Sequence, residues 1–106
     1  MKEVRNQNDL MDVITSENAI FTFYNNWCPI CKMVYSALEQ YAYYHPDLLI
    51  ARLNITDHPD LARQLSVVNV PITFIYKDDT LYEKIQGMVD LEYLDDIFYS
   101  MGNDFE

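Results

Sequence analysis

The hydrophobic pattern of this chain changes period several times, and each change marks an element. Leu10, Met11 and Ile14 recur at helical spacing behind Asn8 or Asp9, either of which can cap a helix that ends near Ser16. Ahead of it, Glu3 to Arg5 reads as a short edge strand. Ala19 to Tyr24 is a run of aromatic and branched residues that stops at Asn25-Asn26, the pattern of a buried strand and its turn. Ile30, Val34, Ala37, Leu38 and Tyr41 then form one stripe, which predicts a helix from Pro29 to Tyr44. Pro29 suits a first helical turn, and His45-Pro46 stops the helix.

Leu48 to Ile55 is nearly continuously apolar, as an interior parallel strand covered on both faces would be. Asp57 can cap a short helix with Pro59 in its first turn, Asp60 beside the positive dipole end, and Leu61, Ala62 and Leu65 inward. Ile72 to Tyr76 and Thr80 to Ile85 flank Lys77-Asp78-Asp79 as a hairpin. Asp90 caps a last helix whose buried face is Leu91, Leu94, Ile97, Phe98 and Met101. Helices between strands require crossovers and a hairpin requires an antiparallel pair. The expected fold is therefore α/β, a central mixed sheet with helices on both faces in three layers, as a single domain over residues 1–106.

Composition narrows the function. A chain that is 50% hydrophobic and 14% aromatic has ample material for a core. Seventeen acidic residues against seven basic ones give a net charge of −10, which repels phosphate backbones and anionic lipid surfaces. Neither nucleic acid nor membrane is an expected partner. Gly87 and Gly102 are the only glycines, so no dinucleotide fingerprint or phosphate-cradling loop can be spelled. The polar start leads into no apolar stretch of the signal type, and no run approaches the roughly 20 apolar residues of a membrane span. The expected compartment is the cytoplasm. There, two cysteines make no disulfide scaffold, and their spacing matters more than their number.

That spacing is Trp27-Cys28-Pro29-Ile30-Cys31-Lys32, at a strand-to-helix junction. Three residues apart on a first helical turn, the two sulfurs share one face within reach of a disulfide. The helix N-terminus should lower the Cys28 pKa and so favour the attacking thiolate, while Cys31, one turn in, is the natural resolving thiol. His45 and His58 read as residues at helix ends, and no metal site is expected, since a metal needs about four ligands. Two thiols that merely fill core space are the bland alternative.

From Trp27 to Lys32 and beyond, the chain resembles the thioredoxin family over nearly its whole length. Ala51-Arg52-Leu53-Asn54-Ile55 with Pro59 resembles that family's third-strand segment, Val70-Pro71-Ile72-Thr73 its cis-proline loop, and Gly87 a glycine near its substrate groove. The resemblance implies a cis Pro71, with Val70 offering backbone groups to an extended substrate. Trp27, Pro29, Ile30, Val70, Pro71 and Met88 read either as an apolar, partly exposed substrate-binding ring around Cys28 or as plain core, and the resemblance adds Gly87 to the substrate-binding residues. It implies no bound cofactor: the Cys28-Cys31 pair cycles between dithiol and disulfide, recycled by an external reductase such as thioredoxin reductase. Protein disulfides are the expected substrates, and the chain is expected to act as a monomer.

Two departures from the family pattern modulate that expectation. Where thioredoxins have Gly-Pro between the cysteines this chain has Pro29-Ile30, closer to the Cys-Pro-x-Cys of glutaredoxins and some periplasmic oxidants. Ile30 brings neither charge nor donor, so a reductant or a mildly poised exchanger is expected rather than a strong oxidant. Where thioredoxins carry a buried aspartate that assists the resolving cysteine, this chain has Thr22, which cannot act as a carboxylate base. Arg52, where the family often has a lysine paired with that aspartate, is expected to lose its partner and extend its head outward. Lys32 is the charge nearest the motif. The rival functions are an adaptor or chaperone-like module with dispensable cysteines, and a glutaredoxin-like protein using glutathione or an iron-sulfur cluster. Against the latter, Gln86-Gly87-Met88 stands where a paired-glycine segment would be.

Overall fold

Strand β2 (Asn18–Tyr24) has five consecutive buried residues, Ala19 to Phe23, because it is central in the sheet and covered on both faces. The structure is a computed structural model that describes residues 1–102. The other elements are β1 (Lys2–Glu3), α1 (Gln7–Ile14), α2 (Pro29–Tyr44), β3 (Leu49–Asn54), α3 (Pro59–Gln64), β4 (Ile72–Lys77), β5 (Thr80–Gln86) and α4 (Leu91–Ser100). The five strands lie in the order β1-β3-β2-β4-β5, with β1, β3 and β2 parallel and β4 and β5 antiparallel to their neighbours. The expected mixed α/β sheet with helices on both faces is what forms.

The pleat divides the core in two. Ala19, Phe21 and Phe23 point to one face, where they join Leu10 and Val13 of α1, Leu61 and Ala62 of α3, and Phe74 and Tyr76 of β4. Ile20 points to the other, with Val34, Leu38 and Tyr41 of α2 and Leu94, Ile97 and Phe98 of α4. Phe23 and Phe74 meet edge to face, with centroids 4.9 Å apart.

Several boundaries differ from the sequence expectation, each for a local reason. Asn6, not Asn8 or Asp9, caps α1, its side chain accepting the Asp9 N–H. The helix then turns Leu10 and Val13 inward and leaves Met11 exposed. The edge strand is Lys2–Glu3 rather than Glu3 to Arg5. His58, not Asp57, occupies the cap of α3, without a side-chain cap bond, while the Asn54 side chain accepts the Thr56 and Asp57 N–H groups just before it. Ile30 leaves the buried stripe of α2 and is 47% exposed. In the hairpin, Lys77 pairs with Thr80 across Asp78 and Asp79, both at positive φ (49° and 68°), a two-residue turn that matches strand twist.

Two stability effects are expected from this packing. Phe74→Ala should cost about 3–5 kcal/mol in a denaturant titration, the range for emptying a buried aromatic site. Burial pushes the Tyr76 phenol up to about 12 from its ordinary 10. Its neutral form is thus favoured in the folded state, so this stability is intact below about pH 10 and lost as pH rises towards 12. Tyr76→Phe should flatten the fall of Tm over that window. Some slope should remain from Tyr41, whose phenol is raised by burial and then by its hydrogen bond to Asp95.

Candidate active site

The chain leaves β2 through Asn25 to Cys28, and two asparagine side chains fix that loop. Asn25 Oδ1 accepts the Trp27 N–H at 3.0 Å, a local side-chain turn. Asn26 Oδ1 accepts from Asn54 Nδ2 at 2.8 Å, which ties the loop to the end of β3. Cys28 then takes the cap position of α2, in extended backbone, with Pro29 in the first turn. Its Sγ accepts the Cys31 N–H at 3.1 Å. The two cysteines are joined as a disulfide, with Cα atoms 5.2 Å apart. Cys28 is half-buried and Cys31 buried, so a partner approaching from solvent reaches Cys28 first.

Two further loops end at the same edge of the sheet. Antiparallel pairing of Phe23 with Ile72 sets Pro71 beside the end of β2, and the Val70–Pro71 peptide is cis, as the resemblance implied. The Pro71 carbonyl accepts from the Gly87 N–H at 2.9 Å and from Gln86 Nε2 at 3.0 Å, locking the third loop to the second. Gly87 makes that corner at a φ of +83°, a conformation that costs a side-chain-bearing residue strain. Trp27 is 75% exposed, and Pro29, Ile30 and Met88 are exposed as well. Val70 and Gly87 are half-buried, whereas Pro71 is buried.

Behind the cysteines a polar row crosses the sheet. Register places Glu3, Arg52, Thr22 and Thr73 side by side on the face that α2 covers. Thr22 is 3% exposed and accepts from the Thr73 hydroxyl at 3.0 Å, while its own hydroxyl leans towards the Ile72 carbonyl at 3.4 Å. Contrary to the expectation from sequence, Arg52 has a carboxylate partner. Its Nε donates to Glu3 Oε1 at 2.6 Å, and its guanidinium lies over Tyr24 at 4.7 Å and Tyr35 at 4.4 Å. Tyr24 donates its hydroxyl to Glu3 Oε2 at 2.8 Å; burial first, and then Glu3, raises its pKa. Glu3, Tyr24 and Tyr35 were not singled out in the sequence, because only the register of β1 against β3 brings Glu3 to Arg52.

Lys32, as expected, lies at the motif, exposed on the first turn of α2. His45 ends α2 with Nε2 3.8 Å from Asp95, and His58 caps α3, so both stand at helix ends. Among the described residues no three ligating side chains gather as a metal site. No helix among them is long and apolar enough to cross a membrane.

Comparison with known proteins places this arrangement. A sequence profile described as Thioredoxin matches residues 2–99. Over 94 residues the chain is 32% identical to a thioredoxin of Chlamydia trachomatis, covering 89% of this chain and 92% of that one. It is 35% identical over 78 residues to a thioredoxin of Mycobacterium tuberculosis, covering 72% and 67%. Among solved structures, a mutant thioredoxin from Halobacterium salinarum superimposes with a TM-score of 0.85 at 26% identity, over 97% of this chain and 91% of that one. Proteins of this kind exchange thiols with disulfides through a paired-cysteine centre and need no bound cofactor. The bridged cysteines at the head of α2 are that centre's chemistry in this molecule, and the chain belongs to the thioredoxin family of thiol-disulfide oxidoreductases.

Proposed function

We propose that the protein acts chiefly as a reductase of protein disulfides, with Cys28 as nucleophile and Cys31 as resolving thiol. The observation that carries this reading is the 3.1 Å hydrogen bond from the Cys31 N–H to Cys28 Sγ at the end of a helix. In the dithiol state the same amide, with the positive end of α2, favours the thiolate at Cys28 over that at Cys31. The difference in exposure supports the same order of events.

The reaction balances in two exchanges. Cys28 thiolate attacks one substrate sulfur, forming a mixed disulfide and releasing the other substrate sulfur as a thiolate that takes up a proton. Cys31 then loses its proton and attacks Cys28 Sγ, releasing the second substrate thiolate and leaving the Cys28–Cys31 disulfide. Two electrons from a reductase restore the dithiol. Family membership carries both disulfide-bearing protein substrates and such a reductase partner. One relative, of Mycobacterium leprae, is a bifunctional thioredoxin reductase/thioredoxin. We assign thioredoxin reductase as the partner here.

Substrate binding falls to the exposed apolar rim of Trp27, Pro29, Ile30 and Met88, with Val70 contributing backbone. Among the described residues Val70 makes no backbone hydrogen bond, so its groups are open to an extended segment laid across the cysteines. Gly87 serves by holding the rim's far corner against Pro71. The rim recognises surface rather than sequence, which suits many protein disulfides. The reading extends to a monomer working in the cytoplasm, where reductase systems keep dithiols reduced.

In an insulin-turbidity assay with dithiothreitol, wild type should accelerate precipitation and Cys28→Ser should fall to background. A Cys28→Ser variant as fast as wild type would overturn the reading in favour of a binding module. Cys31→Ser should instead accumulate covalent adducts with substrate, seen as species on non-reducing gels that dithiothreitol dissolves. Absence of adducts would reverse the assignment of the two cysteines.

A further inference from the structure

Helix α2 carries a second apolar stripe beside the one it buries. Val34, Leu38 and Tyr41 face the sheet, and on one flank of the helix Tyr35 lies under the Arg52 guanidinium. On the other flank Ile30, Met33, Ala37 and Tyr44 follow one another at helical spacing, a straight ridge of roughly 21 Å. Ala37 is half-buried, but Met33 is 57% and Tyr44 67% exposed, so the ridge is open to solvent. Tyr43 meets the Tyr44 ring edge to face at 5.1 Å, which reduces the side-chain freedom that docking would cost. Lys32 and Glu39, the only charged residues of α2, lie off the ridge by helical phase. A chain of net charge −10 thus keeps one helix flank neutral and apolar.

Helix α4 runs beside that flank. Tyr41 donates its hydroxyl to Asp95 at 2.7 Å where the two helices meet over the sheet. Glu92, Asp95, Asp96 and Tyr99 recur at spacings that put them together on the solvent side of α4. The helix has no lysine or arginine, and among the described residues neither Glu92 nor Asp96 has a cationic partner. Tyr99 is 82% exposed. The two helices together present an apolar ridge bordered along one side by unneutralised carboxylates.

We propose that this face docks a basic amphipathic helix of a disulfide-bearing partner protein, its apolar side on the α2 ridge and its lysines and arginines toward α4. The occupant is a helix rather than a strand because the backbone groups of α2 and α4 are spent inside the helices and offer nothing for strand pairing, whereas side-chain ridges at these spacings accept those of another helix. It is basic because Glu92, Asp95 and Asp96 border the ridge. A second copy of this chain would bring its own acidic α4 and a net charge of −10 to the contact, so charge favours a different protein. The partner bears a disulfide because the ridge begins at Ile30, two residues from Cys28, where a protein that exchanges a disulfide must come to lie. In that last respect the inference rests on the exchange reading, which it deepens by naming a partner chemistry. The helix seat is additional to the open backbone at Val70.

The test uses a stapled synthetic helix of three heptads with leucine at the a and d positions and lysine beside them. One control peptide carries glutamate in place of lysine, and another has the same residues scrambled so that no apolar face forms. In titrations of the oxidised protein followed by NMR, saturable amide shifts are expected along Met33 to Tyr44 and Glu92 to Tyr99. Tyr44→Glu should raise the Kd about tenfold, the scale of losing one aromatic anchor. Asp96→Lys should raise it about threefold, the scale of a rim charge, and should bind the glutamate peptide better than wild type does. Both positions are exposed, so the fold is not at risk. Asp12→Lys makes the same change of net charge on α1, across the sheet, and should leave the Kd as it is. In a kinetic arm the peptides carry a terminal cysteine as a mixed disulfide with thionitrobenzoate, and Cys28 thiolate of the reduced protein attacks the peptide sulfur and displaces the coloured thiolate. At limiting concentration the lysine peptide should react about tenfold faster than the scrambled one, and Tyr44→Glu should remove that difference. Free dithiobis(nitrobenzoate), which has no helix to dock, should react equally with wild type and Tyr44→Glu. Absence of saturable shifts, shifts that map away from the two helices, equal Kd for the lysine and scrambled peptides, or wild-type binding by Tyr44→Glu would each overturn the proposal. So would a wild-type dimer in sedimentation that Tyr44→Glu dissolves, which would give the face to a second copy. Failure of the wild type to react with dithiobis(nitrobenzoate) would instead overturn the exchange reading, so the two failures are distinguishable.

Discussion

The architecture of the site follows from the position of β2. A strand that is central in the sheet and covered on both faces must be apolar along its length, and here Ala19, Ile20, Phe21 and Phe23 meet that demand. Such a strand is rigid, and whatever is attached to its end is held in place by the whole core. The two cysteines are separated from it only by Asn25 to Trp27, and both asparagines of that loop are pinned. Helix α2 then packs Val34, Leu38 and Tyr41 back on the sheet, which anchors the helix whose first turn carries Cys31. The reactive pair is thus positioned by hydrophobic burial, and the polar bonds around it make fine adjustments.

The same pleat that builds the core also admits polar residues, Thr22 and Thr73 among them. Thr22 alternates with Ile20 on the α2 face, and a hydroxyl there is tolerable because Thr73 on the neighbouring strand donates to it. Further along the same row, Arg52 is accommodated by Glu3 at the sheet edge and by the faces of Tyr24 and Tyr35. Polar residues therefore form a continuous band from the edge to the centre of the sheet, and Thr22 and Arg52 of that band line the same pocket as Cys31.

Much of this was legible before folding. Period changes placed α2, β2 and α4 closely, because their apolar stripes are long and their ends are marked by Pro29, Asn25 and Asp90. The cysteine pair was legible because its function is local, two sulfurs on one turn. The caps of α1 and α3 were not, since neighbouring polar residues offer equivalent caps: Asn6 rather than Asn8 or Asp9 accepts the Asp9 N–H, and α3 begins one residue past Asp57, at His58, with no side-chain cap bond to announce it. Glu3 and its link to Arg52 were invisible for a different reason. Residues 3 and 52 meet only through a two-residue parallel pairing, and nothing in either segment specifies that register. The exposure of Ile30 shows the same limit: helical spacing aligned it with the stripe, yet in the first turn of α2 it is Cys31 that is buried and Ile30 that faces out.

The hairpin strand β5 has a consequence for the molecule in a crowded solution. It is an edge strand of seven residues, long enough to recruit a second chain by backbone pairing. Its outward pattern is largely exposed and carries Glu83 and Lys84, the pairing of β4 with β5 is irregular at Ile75 and Tyr76, and the opposite edge of the sheet, β1, is two residues long. Charge, a broken register and brevity all discourage strand addition along the flanks. Under the function proposed above, an extended polypeptide that approaches this sheet is left with the Val70 loop as its open backbone. Protection against aggregation and selection of where a client chain lies down are then one property of the sheet's edges.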